Sequence, residues 1–108
     1  MTSRVAQRSF VTQRSLARAG KLVPPNAKRL RGRAIILRPG EAVEWHSTGA
    51  REELIIALAG TVRLELGRVV RPHTALLRAG RCAFIPSATI HRVVNRTTRT
   101  AHYLYVTG

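Results

Sequence analysis

The sequence predicts an all-β protein, an antiparallel sandwich or barrel that follows a basic N-terminal leader. Short apolar runs recur along the chain, and turn pairs such as Pro-Gly, Ala-Gly and Pro-Ser separate them. One of these runs, Thr61–Leu66, alternates polar and apolar residues, which is the period of a strand with one buried face. A chain of 108 residues has the ordinary size of one domain.

The first element is the leader, residues 1–30. Residues 1–39 contain ten of the nineteen Lys and Arg residues and none of the five acids, so most of the net charge of +14 lies there. As a helix, the leader would gather four arginines on one arc, namely Arg4, Arg8, Arg14 and Arg18. Three interpretations stay open: a weakly helical or disordered tail, an organellar presequence, and an arm for nucleic acid or an anionic surface. Because no aromatic residues alternate with the charges, nucleic acid is the partner we expect least.

The barrel follows over residues 31–108. Pro24-Pro25 stops any helix, and the first long apolar run begins soon after it. Alternation and turn signals predict eight strands, at residues 33–38, 42–46, 52–59, 61–66, 74–77, 81–85, 91–94 and 102–106. The third and fourth of these are close enough for a tight hairpin with Ala59-Gly60 at its bend.

The composition indicates where the chain is located and whether it can form a disulfide. No run reaches the roughly 18 apolar residues of a membrane span, and no apolar signal segment follows the N-terminus, so we expect a soluble, cytoplasmic protein. The single cysteine, Cys82, cannot form an internal disulfide. Its place in an apolar run predicts a buried, inert thiol.

Two segments combine glycines and histidines at fixed spacing. The first resembles the cupin motif G-x5-H-x-H-x(3,4)-E-x6-G and is carried by Gly40, His46, Thr48, Glu53 and Gly60. The second resembles the motif G-x5-P-x-G-x2-H-x3-N and is carried by Gly80, Pro86, Ala88, His91 and Asn95. With the strand pattern, the resemblance to the cupin superfamily covers about residues 30–108.

The resemblance implies a small double-stranded β-helix, or jelly-roll barrel, with a divalent metal inside it. Carried over by position, the metal ligands are His46, Glu53 and His91, a set that suits iron, manganese, nickel or zinc. Glu52 is adjacent to Glu53, so in a strand it must point to the opposite face. Thr48 stands where the family has a second histidine, so we expect it to line the pocket without replacing that ligand.

A second departure from the pattern lies at Ala88, where the family has glycine, and we expect an altered or strained turn there. The other histidines are weaker candidates: His73 should be solvated, and His102 should be a core or surface residue. We expect the aromatic side chains to pack, namely Trp45, Phe84, Tyr103 and Tyr105. Arg92 follows His91 and should therefore face away from the pocket.

These residues leave three functions open. The first is a metal-dependent enzyme that acts on a small molecule, by oxygenase or isomerase chemistry. The second is a non-catalytic module that binds a metabolite, with or without the metal, and the third is nucleic-acid binding through the leader. A purely structural polar cluster is the remaining alternative for the three ligand candidates. Proteins of this family are often dimers, and pairing of exposed sheet edges is a physical motive for a homodimer here.

Overall fold

A computed structural model describes residues 11–108, and this part of the chain contains nine strands and no helix. The strands are β1 Gly20–Lys21, β2 Arg31–Leu37, β3 Ala42–Ser47, β4 Glu53–Ala59, β5 Thr61–Leu66, β6 His73–Arg78, β7 Cys82–Ile85, β8 Ile90–Val94 and β9 Ala101–Thr107. The eight strands from β2 onward agree with the predicted ones to within two residues at each end.

The strands form two antiparallel sheets. One sheet has the order β1-β2-β9-β4-β7, and the other has the order β3-β8-β5-β6. Neighbours in each sheet are mostly distant in sequence, as β2 beside β9 and β3 beside β8 show. This arrangement is the predicted all-β jelly roll, with its polar site and its apolar core enclosed between the two sheets.

Alternation of side chains builds the core. The inward residues of β4 are Glu53, Ile55 and Ala57, and all three are buried, whereas Glu52 just before the strand is exposed. Apolar residues of both sheets meet in the interior, among them Leu37, Ile55, Val62, Leu64, Leu77, Ile85, Val93 and Tyr103. The burial of Glu53 among them marks the end of the barrel where polar groups enter the interior.

The turn between β4 and β5 depends on a glycine. Gly60 has a φ of +70°, and a Cβ at this position would lie 2.8 Å from the carbonyl oxygen of Thr100. A side chain is therefore excluded both by backbone conformation and by space. The predicted hairpin is wrong, however, because β4 and β5 belong to different sheets and do not pair with each other; the tight turn at Gly60 carries the chain from one sheet to the other.

Two predictions about β7 are wrong. Cys82 is exposed, and Phe84 is 59% exposed. The inward positions of this strand are Ala83, which is half-buried, and Ile85, which is fully buried. An apolar run of four residues does not reveal which of its two faces turns inward, and here the cysteine and the phenylalanine lie on the outer face.

Part of the leader pairs with the barrel. β1 is antiparallel to β2, with Gly20 opposite Ala34, so it extends the first sheet by one short strand. The Arg14 guanidinium donates hydrogen bonds to the carbonyl oxygens of Gly20 and Lys21, at 2.9 and 2.8 Å. No helix forms in residues 11–30, and Arg4 and Arg8 of the predicted arc lie outside the described residues. Nothing in residues 11–108 forms a helix long and apolar enough to cross a membrane.

Candidate metal centre

A β-bulge in β3 places His46, which is exposed, on the same face as the buried His91. Val43 pairs with Val93 of β8, and His46 pairs with His91, so three steps along β3 match two steps along β8. In a regular strand, residues three apart point to opposite faces, but the extra residue in the bulge brings both onto the inner face. The bulge therefore places the imidazole of His46 beside that of His91, with ring centroids 4.2 Å apart.

Glu53 reaches the two histidines from the opposite sheet. It is the first residue of β4, and its Oε2 lies 3.4 Å from Nε2 of His91. One donor atom from each of His46, Glu53 and His91 lies within 4.8 Å of the other two. The structure thus brings together the three residues that the sequence singles out as ligand candidates.

Backbone carbonyls orient both imidazoles. Nδ1 of His46 lies 2.7 Å from the carbonyl oxygen of Glu44, and Nδ1 of His91 lies 3.0 Å from that of Thr89. A carbonyl oxygen can only accept, so each Nδ1 carries the proton and donates it. Nε2 of each neutral ring is then a free lone pair, which is the form that binds a metal ion.

His91 is fully buried, and its Nε2 has no hydrogen bond of good geometry, although the Glu53 carboxylate lies nearby. Burial lowers the pKa of His91, but the Glu53 carboxylate and the Thr89 carbonyl outweigh it, so the pKa is raised overall. A buried nitrogen without a good partner normally costs free energy. A cation shared by these three side chains would satisfy it.

A cavity of about 220 Å³ opens beside His46 and Glu53. Its wall is largely apolar, with Val43, Val93 and the rings of Tyr103 and Tyr105. Burial and the nearby charge of Glu53 both raise the pKa of Tyr103, so its phenol stays protonated. The polar part of the wall comes from Arg31, His46, Ser47, Thr48, Arg51, Glu53 and Thr107.

Thr48 lies at this cavity, but its hydroxyl is already engaged. The hydroxyl donates to the carbonyl oxygen of Pro86 at 2.7 Å and accepts from the backbone N–H of Thr89 at 3.0 Å. These two bonds join the loop after β3 to the loop before β8. Thr48 therefore fixes the two loops next to the histidine-bearing strands, and its hydroxyl proton and one lone pair are already used.

Ala88 keeps the backbone conformation that the family's glycine would have. Its φ is +54°, in the left-handed region, and its N–H donates to the carbonyl oxygen of Gly49 at 2.7 Å. The predicted strain at this position is confirmed, because a Cβ in this region costs about 1–2 kcal/mol.

Replacing Ala88 with glycine is accordingly expected to raise the free energy of unfolding by about 0.5–1 kcal/mol, since the relief of strain exceeds the added entropy of the unfolded chain. Urea denaturation measures the change. The matched control is Ala75→Gly in β6, an exposed strand position that should lose stability by about the same amount. Equal effects of the two substitutions would contradict the strain at Ala88.

The remaining histidines and Arg92 lie away from the centre. His73 is exposed at the start of β6, as predicted, and His102 is half-buried on the outer face of its sheet. Arg92 points outward, where it pairs with Glu65 and Glu44 and covers the ring of Trp45 at 5.3 Å. The prediction that Arg92 cannot reach the pocket is confirmed.

Besides the apolar wall of Val43, Val93, Tyr103 and Tyr105, four residues of the polar part of the cavity wall were not anticipated as site residues: Arg31, Ser47, Arg51 and Thr107. Arg31 and Thr107 are opposite each other on neighbouring strands, and Thr107 is also opposite Glu53. This row across three strands depends on the pairing register, which spacing along the chain does not reveal. Ser47 and Arg51 lie close to the motif histidine and glutamate in sequence, and that proximity was the available signal.

A match to a family sequence model shows to which family this chain belongs. The sequence model of the cupin domain matches residues 34–107. The chain belongs to the cupin family. Among curated proteins, none matches this cupin significantly.

Solved cupin structures share its architecture. A cupin 2 conserved barrel domain protein from Salinispora arenicola is 25% identical, with a TM-score of 0.70 over 83% of this chain and 73% of the other. The protein TT1209 from Thermus thermophilus is 26% identical, with a TM-score of 0.70 over 94% of this chain and 92% of the other. A predicted oxalate decarboxylase from Thermotoga maritima is 21% identical, with a TM-score of 0.72 over 82% and 76%. This third similarity shows the fold alone.

Proposed function

We propose that this cupin holds a divalent transition metal ion between His46, Glu53 and His91 and acts on a small molecule in the adjoining cavity. The observation that carries the proposal is the convergence of three donor atoms within 4.8 Å, two of them on imidazoles whose Nδ1 is already committed to backbone carbonyls. Two imidazole nitrogens and a carboxylate suit iron, manganese, nickel or zinc.

The arrangement fits an ion with little rearrangement. Donors about 2.0–2.2 Å from an ion are roughly 3–3.5 Å apart, so a small inward movement of the side chains would complete the site. Three protein ligands leave positions open for water or substrate. Once bound, the ion would supply Lewis-acid chemistry, or dioxygen chemistry if it is ferrous.

This chain's own residues would do the rest. The Glu44 and Thr89 carbonyls hold the two rings in the metal-binding tautomer, and Thr48 keeps their loops in register. Val43, Val93, Tyr103 and Tyr105 give the cavity beside the ligands a largely apolar wall. These contacts support a preorganised site.

A specific observation also supports the alternative of a non-catalytic binding module. Within residues 11–108, the cavity wall includes no cysteine or lysine and no histidine or carboxylate besides His46 and Glu53. A general acid or base would therefore have to be a ligand itself, the phenol of Tyr103 or Tyr105, or a water molecule.

Turnover assays separate the two functions. The metal-loaded protein is assayed against a panel of small carbonyl and enol compounds, with iron, manganese, nickel and zinc in turn. Turnover that His91→Ala abolishes supports the enzyme. Saturable stabilisation by a panel member, without turnover under any metal, would instead support the binder.

We also propose that the outer face of the five-stranded sheet binds a second copy of the chain. The outward residues of β2, β9, β4 and β7 include no Lys, Arg, Asp or Glu. Gly32, Ala34 and Leu104 among them are already buried within the chain; the exposed ones are Ile36, Leu58, Cys82 and Phe84, and the half-buried ones are Leu54, Ile56, His102 and Val106. The outer face of the other sheet instead carries the charged cluster of Arg63, Arg92, Glu44 and Glu65. For chains with a net charge of +14, an uncharged apolar face is where two copies can approach.

Phe84→Glu is expected to raise the dissociation constant of this homodimer by at least about tenfold, because it would bury a charge in an apolar interface. Sedimentation equilibrium measures the change. The control is Leu76→Glu on the other sheet, where the leucine is 63% exposed and the substitution should leave the dimer intact. A monomeric parent at micromolar concentration, or equal effects of the two substitutions, would contradict the interface.

A further inference from the structure

The mouth of the cavity carries a row of polar residues across the five-stranded sheet. Arg31 of β2 is opposite Thr107 of β9, and Thr107 is opposite Glu53 of β4. Adjacent strands are about 4.8 Å apart, so the backbone of Arg31 lies roughly 10 Å from that of Glu53. Arg31 lines the same cavity as Glu53 and, by the pairing register, lies on the same face of the sheet.

A second guanidinium is held at this mouth. Nε of Arg51 donates to the hydroxyl of Thr107 at 3.0 Å, and Nη2 donates to the carbonyl oxygens of Thr107 and Arg29. Nη1 of Arg51 has no partner in residues 11–108. The guanidinium is thus fixed in position with one nitrogen still free to donate.

Neither of these arginines is neutralised by a carboxylate in the described chain. Of the five acids, Glu44 and Glu65 pair with Arg92, Glu41 accepts from a backbone N–H, and Glu52 is exposed without an ion pair. Glu53 faces His91. The cavity therefore combines two unpaired positive charges with a single acid, and that acid is committed to the histidines.

We infer that the ligand of this cavity is a small organic acid whose carboxylate is held by Arg31 and Arg51. The inference rests on the proposed function in one respect: the same anion would occupy the open positions of the ion. A guanidinium presents its N–H groups as a planar fork that matches the two oxygens of a carboxylate. The volume of about 220 Å³ limits the ligand to a few carbon atoms.

The wall of the cavity favours an organic acid over an inorganic anion. Val43, Val93 and the rings of Tyr103 and Tyr105 form the apolar part of the wall of the same cavity. Such a surface gains free energy by covering a carbon skeleton but gains nothing from a phosphate ion. The hydroxyls of Ser47 and Thr107 add donors at the rim for the charged end of the ligand.

Calorimetry with matched acids and amides tests the inference. Zinc uptake by the parent is measured first, and the zinc-loaded protein is then titrated with acetate, malonate and succinate and with acetamide, malonamide and succinamide. At least one acid is expected to bind at least about tenfold more tightly than its uncharged amide. Arg31→Gln and Arg51→Lys should each lower the affinity for that acid by about tenfold. The first substitution removes a positive charge, and the second removes the planar fork of N–H groups.

Arg99→Gln is the matched control, because Arg99 is exposed and lines a separate cavity beside Gly60. Arg51→Lys keeps a positively charged donor near the carbonyl oxygen of Arg29, so this variant should stay folded and a loss of affinity can be attributed to the ligand contact. Three results would overturn the inference: no acid binding at millimolar concentration, equal affinity for acids and amides, or tighter binding of inorganic phosphate. If zinc binds stoichiometrically in those cases, the proposed class of ligand is wrong and the proposed metal site stands. If zinc does not bind but the arginines still select the acid over its amide, the proposed metal site is wrong and the proposed class of ligand stands.

Discussion

Replacing Glu53 with glutamine is expected to lower metal affinity by more than 100-fold while the fold is retained. Loss of an outer-shell partner already costs about 10–100-fold in metal affinity, and Glu53 is the only anionic ligand in the proposed set. Glutamine keeps the shape and volume of the side chain, so the buried position at the start of β4 stays filled. Competition with a chromophoric chelator measures the affinity.

The same substitution should reverse the pKa shift of His91. In the metal-free parent, burial lowers this pKa, but the Glu53 carboxylate and the Thr89 carbonyl raise it above the ordinary value of 6.5. Without the carboxylate, burial dominates and the pKa should fall below that value. Nuclear magnetic resonance of the imidazole protons gives the pKa in both proteins.

The stability of the metal-free protein should depend on pH because the pKa of His91 differs between the folded and unfolded states. Because the folded-state pKa of His91 is raised, its contribution to stability is fully present below pH 6.5 and is lost as the pH rises through the folded-state value. The metal-free parent should therefore lose stability as the pH rises above 6.5 through the raised pKa of His91, in a way that Glu53→Gln does not. Metal binding has the opposite dependence, because a proton and an ion compete for the same nitrogen.

Glu52→Gln is the matched control for these measurements, since Glu52 is the adjacent residue and is exposed. It should bind metal like the parent and leave the pKa of His91 unchanged. If Glu52→Gln and Glu53→Gln had the same effect on metal affinity, Glu53 would not be a ligand.

The second large effect is expected at Asn95, at the opposite end of the barrel from the histidines. Asn95 is fully buried, and its Nδ2 donates to the carbonyl oxygens of Leu37 and Arg99 at 2.9 and 2.7 Å. Its Oδ1 accepts from the backbone N–H and the hydroxyl of Thr97. Every hydrogen-bonding group of this amide is used, so the motif asparagine closes the loop between β8 and β9.

Asn95→Asp should lower the free energy of unfolding by about 3 kcal/mol or more, because a buried carboxyl group would face two carbonyl oxygens. For a chain of this size, that loss lowers the melting temperature by roughly 10–15 °C. Thermal and urea unfolding measure both quantities. Asn26→Asp in the exposed leader is the control and should change stability by less than about 0.5 kcal/mol. Equal stability of the two variants would contradict the structural role of Asn95.

The sequence was a good guide to the strands because each of them alternates and is bounded by turn residues. The turn at Gly60 was predicted correctly, but the strands that it joins pair in different sheets, and a turn signal alone does not say whether the two strands that it connects will pair. The β3 bulge was not visible in the sequence, and a regular strand would have pointed Val43 and His46 to opposite faces. Motif resemblance, not periodicity, placed His46 beside His91 and Glu53.

The two errors at β7 and the omission at the cavity mouth have related causes. Cys82 and Phe84 are apolar residues on an outer face, and hydrophobicity alone predicts burial without saying what covers the residue. Arg31 and Glu53 meet through Thr107 because of strand register. Register brings together residues that are far apart in sequence, so no local sequence pattern predicts which residues will be opposite each other.

Elemental analysis of protein purified without tag or chelator tests the metal centre most directly. The parent, His46→Ala, His91→Ala and the control His73→Ala, whose histidine is exposed, are compared at equal concentration. Near-stoichiometric metal in the parent and in His73→Ala, with little in the other two, is the expected result. Comparable metal in all four proteins would show that any ion binds elsewhere and would contradict the proposed site.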